Sequence, residues 1–126
     1  MQYKDINADG ILDSNAKEYA EQLTTQLKKG SLNYLVLLVC DEPIYTSEIL
    51  TKMHLAELEV MEGTIYPLLT RMQKDGLLQH EWKESQSGPP RKYYFITPYG
   101  REVRKFLSDS VKSLNRTINN LERNKK

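Results

Sequence analysis

Two short stretches of the chain carry side chains suited to chemistry with an anion. The first is Gly63, Tyr66, Pro67, Thr70, Arg71 and Lys74; the second is the basic pair Arg91-Lys92 behind a neutral loop, Ser85-Gln86-Ser87-Gly88. Arg71 and Lys74 can neutralise phosphates, and Arg71 can also pair with a guanine edge, while Tyr66 and Thr70 can donate hydrogen bonds. Small loop residues such as Ser87 and Gly88 let a chain approach a narrow groove, and a basic pair at the loop's base suits phosphate contact. The same residues present ordinary solvated surface if no such partner exists. Catalysis has no comparable support. The two histidines, His54 and His80, stand apart from any Ser/His/Asp or Cys/His set, and no carboxylates converge, so no catalytic residues and no enzyme activity are expected. Cys40, the one cysteine, cannot form an intramolecular disulfide, and with the two histidines it makes a poor metal site. Neither a metal nor a cofactor is expected.

Charge distribution points the same way. The formal net charge is only +1, yet residues 1–62 carry a balance of −6 and residues 63–126 one of +7. Such asymmetry describes an acidic packing half and a basic working half, with a polyanion as partner. The longest apolar run, Tyr34 to Cys40, is seven residues, well short of the roughly 20 that a membrane span needs. No signal peptide is visible, which places the protein in the cytoplasm with no membrane partner.

The elements that must position these residues follow from periodicity. Residues 1–13, with the turn-like Asn7-Ala8-Asp9-Gly10, read as loosely ordered. A first helix from Ser14 carries Tyr19, Leu23 and Leu27 at spacings of four and ends at Lys28-Lys29-Gly30. Ser31 then caps a second, strongly apolar helix, Leu32 to Cys40, with Cys40 a small core residue. Ile44-Tyr45 is an extended link, and Thr46 or Ser47 caps a helix reaching about His54. From Met61 to Asp75, the apolar set Ile65, Leu68, Leu69 and Met72 makes one helical stripe, and Gly76 closes that helix. Leu78, His80 and Trp82 then alternate with polar residues as a strand, with Trp82 expected against the helical core. Glu84 to Pro90 reads as turn, and Arg91 to Thr97 as the return strand. Thr97 caps a last helix with Pro98 at its first position. Along that helix, Val103, Leu107, Val111, Leu114, Ile118 and Leu121 are separated by 4, 4, 3, 4 and 3 residues, close to a coiled-coil seam.

A mainly α chain with a small β-hairpin in this order is a winged helix-turn-helix with a long C-terminal dimerisation helix. The expected organisation is a tail and helix over residues 1–30, a winged helix-turn-helix DNA-binding domain over 31–97, and a dimerisation helix over 98–126. The Met61–Asp75 helix would enter the major groove and the hairpin would reach the flanking backbone.

Two ordered motifs also resemble a known family. Glu62-Gly63-Thr64-Ile65-Tyr66-Pro67-Leu68-Leu69 with Arg71-Met72 and Asp75-Gly76-Leu77 resembles the recognition helix of PadR transcriptional regulators. Gly88-Pro89-Pro90-Arg91-Lys92-Tyr93-Tyr94, with Ile96-Thr97 and Gly100, resembles that family's wing and the start of its last helix. The likeness covers roughly Leu32 to Leu107, and the single C-terminal helix is similar to the short subfamily of homodimeric repressors. The resemblance adds Tyr45, Thr46, Ser47 and Thr64 to the DNA-binding set, and it implies that Pro67 distorts the start of the recognition helix to present Thr64 and Tyr66. Two departures stand out. The family's Tyr-Gly-Tyr-Glu reads Tyr45-Thr46-Ser47-Glu48 here, and the tryptophan with which drug-sensing members sandwich flat molecules falls at Val111.

The apolar face of the last helix must be buried, and a twin helix is its natural cover, with Tyr19, Leu23 and Leu27 packing against the partner's last helix. The expected protein is thus a homodimeric, sequence-specific transcriptional repressor on a pseudo-palindromic operator in double-stranded DNA. A hollow between the protomers could admit a small apolar or phenolic effector that releases the DNA. The reading from another class is a winged-helix module that holds a partner protein without specific DNA binding.

Overall fold

The computed structural model of the chain describes residues 11–124, with side chains from residue 15 onward. Its elements are α1 (Ile11–Val39), β1 (Ile44–Tyr45), α2 (Thr46–Leu55), α3 (Glu62–Lys74), β2 (Leu78–Ser85), β3 (Gly88–Ile96) and α4 (Pro98–Arg123). The chain divides into two units between Leu32 and Asn33. The first holds most of α1, where Tyr19, Leu23 and Leu27 are exposed. The second holds every other element, and its mainly helical build with a three-stranded antiparallel sheet is that of a winged helix.

The sheet has strand order β1-β3-β2, so the return strand of the wing is central. β1 pairs Ile44 with Tyr94 and Tyr45 with Tyr93, while β2 pairs Leu78 with Ile96, His80 with Tyr94 and Trp82 with Lys92. Residues paired in this way point to the same face. One face therefore carries Ile44, Leu78, Tyr94 and Ile96, all buried, and against it lie Val36, Leu37, Cys40, Ile49, Met53, Ile65, Leu69 and Met72. The expected stripe of α3 is this core face, except that Leu68 is half-buried.

Both junctions that aim α3 are helix C-terminal turns. After α2, Glu57 adopts φ 69°, its N–H donating to the His54 carbonyl while the Leu58 N–H donates to Met53 at 2.8 Å. After α3, Gly76 at φ 81° repeats the pattern, with its N–H on Gln73 and that of Leu77 on Met72. This pair of bonds is the Schellman motif, which needs a left-handed residue. His54 and Glu59 pair across the first turn.

The start of α4 is fixed by close approach. Thr97 caps it, accepting from the Gly100 N–H at 2.9 Å while its hydroxyl donates to the Gly76 carbonyl at 2.6 Å. A β-carbon on Gly100 would lie 2.3 Å from the Leu77 carbonyl oxygen, so only glycine fits. One turn on, Arg101 and Arg104 hold the Asp41 carboxylate at 3.0 and 2.8 Å, and Arg104 also donates to the Leu37 carbonyl at 3.4 Å. The hydrogen bond from Arg104 is the main cause holding the Asp41 carboxyl below the usual carboxylate range, with the two positive charges adding to it.

Several expectations need correction. No helix break occurs at Gly30-Ser31: α1 runs straight through, and the Ser31 hydroxyl donates to the Leu27 carbonyl as an interior residue does. Ser14 lies inside α1 rather than capping it, and residues 11–13 are helical; Asn7-Ala8-Asp9-Gly10 lies outside the described residues. Neither Thr46 nor Ser47 is the N-cap of α2; Tyr45 is, with its N–H donating to the Glu48 carboxylate at 3.3 Å. Ile44-Tyr45 is a sheet strand, not merely a link. Most of Glu84–Pro90 is strand rather than turn. Pro89 and Pro90 face the single residue Glu84 between the Lys83–Arg91 and Ser85–Gly88 pairs, a bulge that removes the need for their missing N–H groups.

Trp82 is 62% exposed instead of packed on the core. It lies on the core face, but the hairpin there has passed beyond the covering helices. Cys40 is fully buried, and burial pushes its thiol up to about 12, as suits an inert core residue.

Candidate nucleic-acid interface

Three elements of the second unit meet around the candidate site: the start of α2, the outer side of α3 and the base of the wing. α3 buries Ile65, Leu69 and Met72, which turns Tyr66, Pro67, Thr70, Arg71 and Lys74 outward. Its helix is continuous through Pro67, so no break appears at its start; Tyr66 is 48% exposed rather than turned into the core. Pro67 would clash with the carbonyl of the residue four back. That residue is Gly63, whose own side-chain position is open, with nothing within 4 Å of an added β-carbon.

An open groove of about 590 Å³ lies between these elements, lined by Tyr45, Thr46, Ser47, Tyr66, Thr70, Arg91, Lys92 and Tyr94. Seven of these eight are residues singled out from the sequence; Tyr94 was not among them. Its signal was present in the alternation of β3, but a buried tyrosine at the foot of a groove is indistinguishable from core until its partner Ile44 is known. The remaining candidates sit outside the groove. Thr64 is half-buried on α3, Arg71 and Lys74 are exposed toward its C-terminal end, and Ser87 and Gly88 are exposed at the wing tip.

The cations at the wing base are held over aromatic rings. The Arg91 guanidinium lies 4.6 Å from the Tyr45 ring centre, the Lys92 ammonium 5.1 Å from Tyr94, and the Lys83 ammonium 4.7 Å from Tyr93. Tyr45 and Tyr93 pack edge to face at 5.4 Å, which joins the Arg91 and Lys83 sites on one face of the sheet, while Lys92 and Tyr94 stand on the other. Each contact restrains a long flexible side chain by about 0.5–1 kcal/mol at an exposed site. The cations are thereby arranged before any ligand arrives, which lowers the ordering cost of binding. Lys83 was missed by the sequence reading; its place in the series follows from the register Lys83–Arg91. The Thr70 hydroxyl donates to the Tyr66 carbonyl at 3.1 Å, which leaves its lone pairs to accept.

No group of three metal-ligating side chains occurs among the described residues, and no described helix is long and apolar enough to cross a membrane. Val103 and Leu107 on α4 are half-buried, whereas Val111, Leu114, Ile118 and Leu121 are exposed among the described residues.

Known proteins share this fold. The profile of the PadR-like family of transcriptional regulators matches residues 35–105. A PadR-like transcription factor from Bacteroides fragilis is 46% identical, the match covering 79% of this chain and 98% of that one with a TM-score of 0.68. A PadR family regulator from Eggerthella lenta is 27% identical over 88% of this chain and 98% of its own, with a TM-score of 0.81. A PadR-like regulator from Bacillus cereus is 41% identical over 76% and 95%, with a TM-score of 0.68. No curated protein gives a significant match. PadR proteins are transcriptional regulators rather than enzymes, and this chain belongs to the PadR family.

Proposed function

We propose that the chain is a cytoplasmic, homodimeric repressor that binds a pseudo-palindromic operator and is released by a small apolar or phenolic molecule. The observation that carries the DNA-binding part is the groove in which α2, α3 and the wing base present Thr46, Ser47, Tyr66, Thr70, Arg91 and Lys92 together. Arg71 and Lys74 on α3 read base edges and phosphates, Thr64 and Pro67 set its leading end, and Ser87 and Gly88 bring the wing tip to the flanking backbone.

The exposed seam of α4 supports the dimer. Burying Val111, Leu114, Ile118 and Leu121 on both copies contributes roughly 10 kcal/mol, against an association cost of about 4–15 kcal/mol. The seam is thus marginal alone, and Tyr19, Leu23 and Leu27 supply the further apolar surface a stable pair needs. A twofold pair sets two recognition helices about 34 Å apart on successive major grooves. Val111, where a stacking tryptophan would be needed, favours an effector that fills apolar space over one sandwiched between rings.

The test is a fluorescence-anisotropy titration of the protein on its own upstream DNA and on random duplex, at two salt concentrations. Steep loss of affinity with salt and a gap over random duplex are expected. Binding that is absent or indifferent to salt would replace this reading with that of a protein-interaction module.

A further inference from the structure

The single tryptophan of the chain lies on the face its strand pattern assigns but is exposed there, and its surroundings point to a role. Trp82 pairs with Lys92 across the hairpin, so the indole and the ammonium project from the same face of the wing. That face is the one toward the helices, because Ile44, Leu78, Tyr94 and Ile96 on it are buried in the core with Ile65, Leu69 and Met72 of α3. Trp82 is 62% exposed, whereas Tyr94 on the same face is 5% exposed and His80, one step toward the core, is half-buried. The His80 ring packs edge to face on Trp82 at 6.2 Å, which fixes the indole from its core side and leaves its outer side open.

An exposed indole is costly in water and is used where one end of the ring is dry and its N–H meets an acceptor. Beside it on the same face stands Lys92, its ammonium over the Tyr94 ring, while Arg91 and Lys83 occupy the opposite face of the same strands. A deoxyribose-phosphate strand offers both complements at once: an apolar sugar edge and a phosphate oxygen. We propose that Trp82 is a DNA-contacting residue of the wing, its ring lying against the sugars that border the minor groove and its indole N–H donating to a phosphate. The inference rests on the DNA-binding reading above and extends the contact surface beyond the groove, along the inner face of the wing. Such a contact positions the protein and does not read sequence.

The test uses the intact protein, whose only tryptophan is this one. Operator binding is followed by anisotropy of labelled duplex, and in parallel by Trp82 emission excited where tyrosine does not absorb. Saturating duplex is expected to quench the emission and to protect the indole from acrylamide. Trp82→Ala is expected to weaken operator and random duplex alike, by about tenfold, with the salt slope unchanged because no charge is removed. Trp82→Phe, which keeps the ring and loses the donor, is expected to fall between. Circular dichroism confirms that each variant is folded. Anisotropy that reports binding while emission and acrylamide quenching stay as in the free protein would overturn the role of Trp82 and leave the DNA-binding reading standing. Loss of the anisotropy signal itself would overturn both.

Discussion

Replacing Gly100 by alanine tests how the last helix is seated. The added β-carbon would lie 2.3 Å from the Leu77 carbonyl oxygen and 2.7 Å from Ile96 Cγ1. Ordinary contacts need about 3.5 Å, so the first turn of α4 must retreat by about 1 Å. That turn also carries the 2.9 Å bond from the Gly100 N–H to Thr97 and the 2.6 Å bond from Thr97 to Gly76. A retreat of this size takes both beyond useful geometry. The lost cap costs about 1 kcal/mol and the residual strain about 2 kcal/mol, while alanine's better helix propensity returns about 1 kcal/mol. The net destabilisation is about 2 kcal/mol, which lowers Tm by about 8 °C for a chain of this size. Thermal melting followed by circular dichroism measures it. A Tm unchanged or raised would refute the close-approach argument. Gly30→Ala is the control, because a β-carbon there meets nothing within 4 Å. Helix content should rise, and a fall would restore two separate helices in place of α1.

Three further outcomes follow from single groups. Glu57→Gly should raise stability by up to about 1 kcal/mol in urea unfolding, because φ 69° strains any residue with a β-carbon; a loss would mean the turn is held by the Glu57 side chain. Cys40 should resist thiol reagents in the native protein and react on unfolding, and its protonated state should cost stability at high pH. The native thiol titrates at about 12, the unfolded one near about 8.5, so stability should fall as pH rises between the two and be unaffected below. Asp41 acts at the other end of the scale. Its native carboxyl is held low by Arg104 and Arg101, so its stabilisation is present above the ordinary value of about 3.9 and is lost as pH falls through the native one. Asp41→Asn should therefore lower Tm at neutral pH and match the wild type in strong acid.

Local chemistry made much of this structure legible. The stripe Ile65, Leu69 and Met72, the left-handed Gly76 and the Thr97-Pro98 start of α4 each need only neighbouring residues to be read. Features that depend on distant partners were not. Ile44-Tyr45 is a strand because it pairs with Tyr93 and Tyr94, nearly fifty residues on, and no local pattern announces a two-residue edge. Gly30-Ser31 has the chemistry of a break, yet flanking helix formers carry α1 through it. Alternation placed Trp82 on the correct face of β2, but period alone does not say how far along a strand the covering helices extend. Pro89 and Pro90 were read as turn because a bulge that tolerates them depends on the opposite strand. In the groove, Tyr66, Thr70, Arg91 and Lys92 were legible from residue type and spacing and Tyr45, Thr46 and Ser47 from the family resemblance, whereas Tyr94, and Lys83 outside the groove, emerged only with the strand register.

The central claim is that the outer side of α3 and the wing base face duplex DNA together. It is tested most directly by comparing Arg71→Ala with Lys92→Ala on operator and random duplex across a salt series. Arg71→Ala should weaken operator binding by about 1–3 kcal/mol and narrow the gap over random duplex, while Lys92→Ala should weaken both duplexes equally and reduce the salt slope by about one. Affinities and slopes that match the wild type in both variants would contradict the account.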